Sequence, residues 1–115
     1  MIPHFGRCAP WLEAALRRDQ GGWDMAELQA RIVAGRAQLW PGERSAVVTE
    51  VQRGEINCWL AGGDMAEIVS MAPGIEAWGR AHGCTRATMA GRRGWARLLA
   101  SRGYTPSDGE IGKVI

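Results

Sequence analysis

One continuous stretch, residues 45–69 (SAVVTEVQRGEINCWLAGGDMAEIV), limits the folds that this chain can adopt. Its first part is rich in β-branched residues, which favour a strand, and Arg53-Gly54 is a dipeptide typical of a tight turn. A second strand-like segment follows at residues 55–61. Gly62-Gly63 then interrupts the extended pattern, and a helical periodicity begins. The stretch therefore predicts an antiparallel hairpin whose second strand leads through two glycines into a helix.

Further helices and strands are predicted on both sides of this hairpin. Before it lie two helices, at residues 9–19 and 23–36, and a short strand at residues 37–40. After it lie a helix from residue 64 to about residue 82, a strand at residues 84–90, a helix from residue 91 that Gly103 stops, and a tail that supplies a turn and a terminal strand. Pro73 should kink or divide the long helix, because proline has no backbone donor.

The predicted order of elements is α-α-β-β-β-α-β-α-β. A helix that crosses over between two neighbouring strands brings them side by side in parallel. The strands that contain Cys58 and Thr85 should therefore be parallel neighbours. We expect a single domain over residues 1–115, of the α/β class, in which helices cover a mixed central sheet.

Composition narrows the class of protein. The chain has 115 residues, of which 46% are hydrophobic and 23% charged, as in ordinary globular domains. It has no uninterrupted apolar run of roughly 18 residues that would span a membrane. The first ten residues have neither the basic start nor the apolar core of a secretion signal, so we expect a cytoplasmic protein.

Cysteine and histidine are too scattered to suggest a metal or a disulfide framework. The three cysteines are Cys8, Cys58 and Cys84, and the two histidines are His4 and His82. They show none of the short spacings that zinc sites use, and an odd number of cysteines does not form a complete set of disulfides. The net charge of +2 is modest, and no nucleic-acid-binding motif is present. No metal and no nucleic-acid partner is expected.

Two interpretations of Gly62-Gly63-Asp64 are open. Glycines after a strand, followed by aspartate, form an ordinary strand-to-helix turn, because aspartate is a preferred helix cap. Alternatively, a diphosphate could bind here, since helix N-termini attract anions and glycine lets an anion approach the backbone. The amides would be those of Gly62, Gly63, Met65 and Ala66.

Three residues are candidates for acid–base chemistry. Glu50 and Glu55 flank the hairpin turn, where a carboxylate could accept a proton from an amine directly or through water. Tyr104, the only tyrosine, could donate a proton late in a reaction. The alternatives are solvated carboxylates at a strand edge and an aromatic side chain that packs after the last helix.

The element order from about Trp23 to Tyr104 resembles the GNAT (Gcn5-related N-acetyltransferase) fold without its first strand. Residues 57–68 (NCWLAGGDMAEI) are similar to the family's fourth strand, its phosphate-binding loop and the long helix that follows. Residues 87–104 (ATMAGRRGWARLLASRGY) are similar to its fifth strand and the next helix, which ends in a glycine and an aromatic residue. The chain also resembles the small GNAT-like proteins encoded by tailed phages and prophages.

This resemblance implies an acyl-CoA-dependent N-acyltransferase that acts on an unknown amine. Acetyl-CoA would lie between residues 58–60 and 87–89, with Glu50 or Glu55 as general base and Tyr104 as general acid. The residues that would hold it, as the resemblance implies, are Leu60, Gly62, Gly63, Met65, Ala66 and Arg92 or Arg93. Arg92, Arg93, Arg97 and Arg102 give the last helix a basic side that suits phosphate, although a solvated face is the alternative.

Departures from the family pattern support a second hypothesis. No basic residue precedes Gly62-Gly63 at the family's spacing, and Asp64 stands where a diphosphate would bind. Leu99 and Arg92 occupy the positions of the family's tyrosine and asparagine. A non-catalytic interaction protein would explain these losses. With no first strand, the sheet would have an exposed edge near Trp40, and we expect a homo-oligomer or a protein partner there, with Trp11 or Trp23 contributing.

Overall fold

A computed structural model describes residues 2–90 and 93–115, without the side chain of Arg93. The helices are α1 (Phe5–Arg18), α2 (Met25–Val33), α3 (Met65–Ser70), α4 (Ala72–Ala81) and α5 (Arg93–Ala100). The strands are β1 (Gln38–Pro41), β2 (Ser45–Gln52), β3 (Glu55–Gly63), β4 (Arg86–Ala90), β5 (Thr105–Ser107) and β6 (Glu110–Val114). Within the described residues these strands form one sheet in the order β1-β2-β3-β4-β6-β5.

The sheet is mixed, and the predicted pairings are confirmed. β2 and β3 are antiparallel, and their turn places Arg53 and Gly54 at φ angles of 53° and 77°. Two positive φ angles match the twist of a two-residue hairpin. β3 and β4 are parallel neighbours, with Ile56 opposite Ala87. The chain therefore has the α/β fold, with a GNAT-like mixed sheet between helices, that its sequence predicts.

The long predicted helix is divided into α3 and α4. α3 ends at Ser70, and Pro73 lies in the first turn of α4. A first-turn amide has no partner inside its helix, so proline is tolerated there and marks the break.

The tail forms one more strand than predicted. Asp108 and Gly109, with φ angles of 50° and 80°, join β5 to β6 as a second tight hairpin. β6 inserts between β4 and β5, so the prediction of a single terminal strand was incomplete.

The first helix begins earlier than predicted. The sequence predicts a start near residue 9, but α1 begins at Phe5 and contains Pro10. Proline at this position leaves the carbonyl of Gly6 without its helical donor. Both residues are exposed, so water can bind that carbonyl and the helix continues through the proline.

The helices cover the two faces of the sheet with separate apolar cores. On one face, α1 and α2 contribute Leu12 and Leu28, which pack with Val48 and Leu60. On the other face, α3, α4 and α5 cover a core that includes Val47, Ile56, Ala87, Trp95, Leu99 and Ile111. Each strand residue contacts one face only, so the sheet separates the helices into two layers.

The edge strand β1 does not present an exposed tryptophan. Trp40 is half-buried and packs against the core beneath α4, with its ring edge-on to Trp78 at 6.1 Å between centroids. Its Nε1 donates to Thr49 Oγ1 over 2.9 Å. The expectation that Trp40 is exposed was therefore wrong, because the ring has an apolar neighbour and an acceptor within the chain. Docking of a partner along β1 stays a prediction.

A buried carboxylate joins α4 to the C-terminal hairpin. Glu76 is 5% exposed, and its two oxygens accept from Tyr104 Oη at 2.8 Å and Lys113 Nζ at 2.9 Å. The Lys113 ammonium also lies 5.7 Å from the centre of the Tyr104 ring. A buried charge is tolerated only when its oxygens are hydrogen-bonded. These three residues therefore stabilise each other and fix β6 against α4.

We predict that Tyr104→Phe lowers the free energy of unfolding by about 1.5–3 kcal/mol, because it leaves one oxygen of a buried carboxylate without a donor. Urea denaturation of the wild type and the variant measures the difference. In a Glu76→Gln background the same substitution should cost clearly less, since the charge that needs the donor is gone. A change below about 0.5 kcal/mol in the Glu76 background would contradict a role for this hydrogen bond.

Candidate functional site

A groove opens where β3 separates from β4. The last paired residues are Cys58 and Met89, and β4 ends one residue later at Ala90. Among the residues that the structure describes, β3 continues to Gly63 paired with β2 only. One edge of β3 therefore loses its partner strand in the middle of the sheet. The end of α1 and the start of α5 lie along that edge and form the walls of the groove.

A β-bulge lies at the same point of β3. Thr49 is opposite Cys58 and Val48 is opposite Leu60, so Trp59 has no residue opposite it on β2. Trp59 and Leu60 both contact the core under α1 and α2, whereas Cys58 and Ala61 contact the other core. A bulge bends a strand and changes the direction of its side chains. It therefore turns β3 away from β4 as the groove begins.

The groove consists of two adjoining cavities. The inner cavity, of about 210 Å³, is lined by residues of β3 and β4 from Cys58 to Ala61 and from Met89 to Ala90, together with the end of α1 and Trp95. The outer cavity, of about 400 Å³, is lined by Gly62, Gly63, Met65, Ile68 and Gly94, among others. Arg18, Ala61 and Trp95 line both cavities and mark their junction.

The two glycines at the end of β3 are required by the packing of the chain itself. A Cβ on Gly62 would lie 2.6 Å from the carbonyl oxygen of Trp11 in α1. A Cβ on Gly63, whose φ is 105°, would collide with Arg44 O and lie 2.6 Å from the Cα of Ser45. Real side chains do not tolerate such distances. The pair therefore forms a strand-to-helix turn that also borders the outer cavity, so the two interpretations of these residues do not exclude each other.

The start of α3 is capped by the protein's own carboxylates. Asp64 Oδ1 accepts from the amide of Glu67 at 2.9 Å. Glu67 Oε1 accepts from the amide of Arg44 at 2.9 Å and from the hydroxyl of Ser45. The guanidinium of Arg44 lies 3.4 Å from Asp64 and 3.6 Å from Glu67. Asp64 is turned towards Arg44 and is not among the residues that line the outer cavity.

These contacts hold both carboxyl groups in their ionised form. The Glu67 amide, followed by the Arg44 guanidinium, lowers the pKa of Asp64. The Ser45 hydroxyl and the Arg44 amide lower the pKa of Glu67. A pKa lowered by folding adds stability above the unfolded value, and this stability is lost as the pH falls through the folded value. The β3–α3 connection should therefore be weakened by acid.

The predicted catalytic residues lie away from the groove. Glu50 forms an ion pair with Arg31 of α2 at 2.9 Å, and Glu55 lies 3.7 Å from Arg86 at the opposite end of β3. Tyr104 is buried, and burial together with its hydrogen bond to Glu76 raises its pKa far above the ordinary value. Neither carboxylate lines either cavity within the described part of the chain. The structure therefore gives all three residues other contacts, and their catalytic roles stay predictions.

The predicted ligand-binding residues are only partly brought together. Leu60 lines the inner cavity, and Gly62, Gly63 and Met65 line the outer one. The amide of Ala66 contributes to lowering the pKa of Asp64, so it is directed to that carboxylate. Arg92 and the side chain of Arg93 lie outside the described residues.

Two charged residues of the groove were not identified as site residues from the sequence. Arg18 Nη2 donates to the carbonyl of Ala61 at 3.1 Å. Asp19 follows the last residue of α1, and among the described residues that line the inner cavity it is the one with a carboxylate. Its Oδ2 accepts a hydrogen bond from the amide of Gly21 at 3.1 Å. In the sequence, Arg18 is explained by the helix dipole alone. The one available signal in the sequence was that the basic Arg18 is followed directly by the acidic Asp19 at the end of the helix.

Cys58 lies where the two strands separate. It is half-buried and lines the inner cavity, and burial raises the pKa of its thiol to about 12. A thiol with this pKa stays protonated near neutral pH, and the thiolate is the nucleophilic form. Cys58 is therefore a wall of the groove and not an activated nucleophile.

Within residues 2–90 and 93–115, no cluster of three or more histidine, cysteine, aspartate or glutamate side chains could hold a metal ion. In the same part of the chain, none of the helices is long and apolar enough to cross a membrane.

Comparison with known proteins supports the fold. The structure resembles a solved protein from Lactobacillus plantarum that is provisionally assigned as an N-acetyltransferase, with a TM-score of 0.60 over 98% of this chain and 92% of that one. The two sequences are 16% identical, so the likeness shows a common fold and not a common activity. No family model matches this sequence. No curated protein matches it either.

We predict that Gly62→Ala destabilises the unliganded protein by about 1–3 kcal/mol, because the added methyl group forces α1 away from β3. Gly74→Ala is the matched control. Its Cβ has no neighbour within 4 Å, and alanine should stabilise α4 by about 0.5–1 kcal/mol. Thermal or urea unfolding of the two variants measures both effects. Wild-type stability in Gly62→Ala would show that this glycine is not required by packing.

Proposed function

We propose that this protein is an N-acyltransferase that takes its acyl group from an acyl-CoA and passes it to an amine. The observation that carries the proposal is the groove at the parted edge of β3, which runs from Cys58 and Met89 to Gly62 and Gly63. The GNAT-like fold of the chain agrees with it. Phage or prophage origin and a cytoplasmic location stay predictions that the proposal does not need.

The dimensions and lining of the groove suit an acyl-CoA. Its two cavities have volumes of about 210 Å³ and 400 Å³, and ligand pockets usually measure roughly 300–1,000 Å³. The inner cavity is narrow and combines apolar walls, such as Leu60, Met89 and Trp95, with a few polar groups. We assign the thioester to this cavity, between the separated strands, and the phosphates to the wider outer cavity.

The exposed edge of β3 can bind the acyl-CoA through backbone hydrogen bonds. The carbonyl of Ala61 points into the groove, because it accepts from Arg18. In an extended strand, the amide and the carbonyl of one residue lie on the same edge. The amide of Ala61 therefore also faces the groove, where it can donate to an oxygen of the bound thioester or its arm. Trp95 also lines this part of the groove.

In the proposed reaction the acyl group is transferred from the sulfur of CoA to the nitrogen of the amine. The new C–N bond forms as the C–S bond breaks, the nitrogen loses a proton and the thiolate gains one. We assign the first of these protons to Asp19, since it lines the cavity that contains Cys58 and Met89. The raised pKa of Cys58 favours direct transfer over an acyl-cysteine.

A non-catalytic interaction protein is the second candidate. The observations that favour it are the caps at the start of α3, where Asp64 takes the amide of Glu67, and the burial of Leu99 at the position of the family's tyrosine. In this case the groove would be a remnant, and a partner would bind elsewhere, for example along β1.

Calorimetric titration with acetyl-CoA separates the two candidates. We predict saturable binding by the wild-type protein, with a dissociation constant below about 1 mM, the range of many enzyme–substrate affinities. Free CoA should compete for the same site. Absence of heat and of competition at millimolar ligand would remove the enzyme and leave the interaction protein.

We predict that Asp19→Asn lowers kcat by about 10²–10⁴-fold, the usual contribution of a positioned base, without weakening acetyl-CoA binding. Asparagine keeps the acceptor for the amide of Gly21, so the turn after α1 is preserved. Thiol release from acetyl-CoA with a panel of primary amines measures the rate. Glu13→Gln, on the exposed surface of α1, is the matched control and should leave kcat unchanged. Wild-type turnover in Asp19→Asn would exclude Asp19 as the base.

A further inference from the structure

The phosphates of an acyl-CoA need a cation that the β3–α3 connection does not supply. Arg44, which contacts that connection, makes ion pairs with Glu43, Asp64 and Glu67. The start of α3 is capped by Asp64. A diphosphate carries charge that the protein must balance with donors or a cation. The groove therefore requires a positive charge from another element.

Arg18 is placed to supply this charge. It stands at the end of α1, far from the glycines in sequence, yet it lines both cavities at their junction. Its Nη2 is held by the carbonyl of Ala61 at 3.1 Å, which fixes the guanidinium at the edge of β3. Among the described residues that line the two cavities, Arg18 is the one with a positively charged side chain.

We propose that Arg18 binds the diphosphate of the acyl-CoA and replaces a basic residue in the loop before α3. This inference rests on the proposed function. A guanidinium has five N–H donors in a planar fork, so one bond to Ala61 leaves donors for phosphate oxygens. The bond to Ala61 also orders the side chain before the ligand arrives, which lowers the entropic cost of binding. Arg18 is a binding residue in this role and takes no part in proton transfer.

The test compares Arg18→Gln with Arg17→Gln. Both variants remove one positive charge from the last turn of α1, but Arg17 lines a separate surface groove next to α2. Each is titrated with acetyl-CoA and with S-acetyl-pantetheine, which has no diphosphate. We expect Arg18→Gln to weaken acetyl-CoA binding by about 10- to 100-fold, as for loss of a charged hydrogen bond, and to leave acetyl-pantetheine binding unchanged. Arg17→Gln should match the wild type with both ligands.

The outcomes separate this inference from the proposed function. If Arg18→Gln binds acetyl-CoA as the wild type does, or loses both ligands equally, the assignment of Arg18 is wrong while the acyltransferase stands. If the wild type does not bind acetyl-CoA, the second probe is inorganic pyrophosphate. Its binding is then monitored through the NMR chemical shifts of Ala61 and Gly63. Shifts in the wild type and Arg17→Gln but not in Arg18→Gln would keep the anion site without the enzyme. No shifts in the wild type would overturn both.

Discussion

The loss of pairing between β3 and β4 after Cys58 and Met89 is the constraint on which the site depends. A strand edge in the middle of a sheet has amide and carbonyl groups that must find other partners. The bulge at Trp59 turns β3 away from β4, and among the described residues no pair between the two strands follows Cys58 and Met89. Arg18 meets this need at Ala61. A ligand bound between the strands, as proposed, would meet it elsewhere along the edge, so the proposed site lies where the pairing of the sheet ends.

Local sequence signals predicted most of the fold. The hairpin at Arg53-Gly54 and the break at Pro73 each rest on chemistry within a few residues, and both are found in the structure. The parallel pairing of β3 and β4 followed from the crossover helix. The two ends of the chain were predicted less completely. The first helix begins at Phe5 and not near residue 9, and the tail forms two strands joined at Asp108-Gly109 where one terminal strand was expected.

The site could not be predicted to the same extent, because its polar residues meet only in three dimensions. Arg18 and Asp19 come from the end of α1 and reach the groove because α1 packs across β3. Glu50 and Glu55 are carboxylates like Asp19, but they lie outside the two cavities, next to Arg31 and Arg86. The sequence cannot show which carboxylate has an ion-pair partner. The position of Asp64 was correctly recognised, whereas its orientation towards Arg44 was not, and orientation decides its effect on an anion in the groove.

The insertion of β6 between β4 and β5 also affects how the protein is made on the ribosome. β4 pairs with β6, which follows it only after α5 and β5 have been synthesised. Until then, one edge of β4 lacks its partner, and a nascent chain can pair there with another chain. The two hydrogen-bond donors to Glu76, Tyr104 and Lys113, are also synthesised after it, so its carboxylate is hydrated until they are present. Burial of this carboxylate without its donors is unfavourable, so complete closure of the core under α4 requires the C-terminal hairpin.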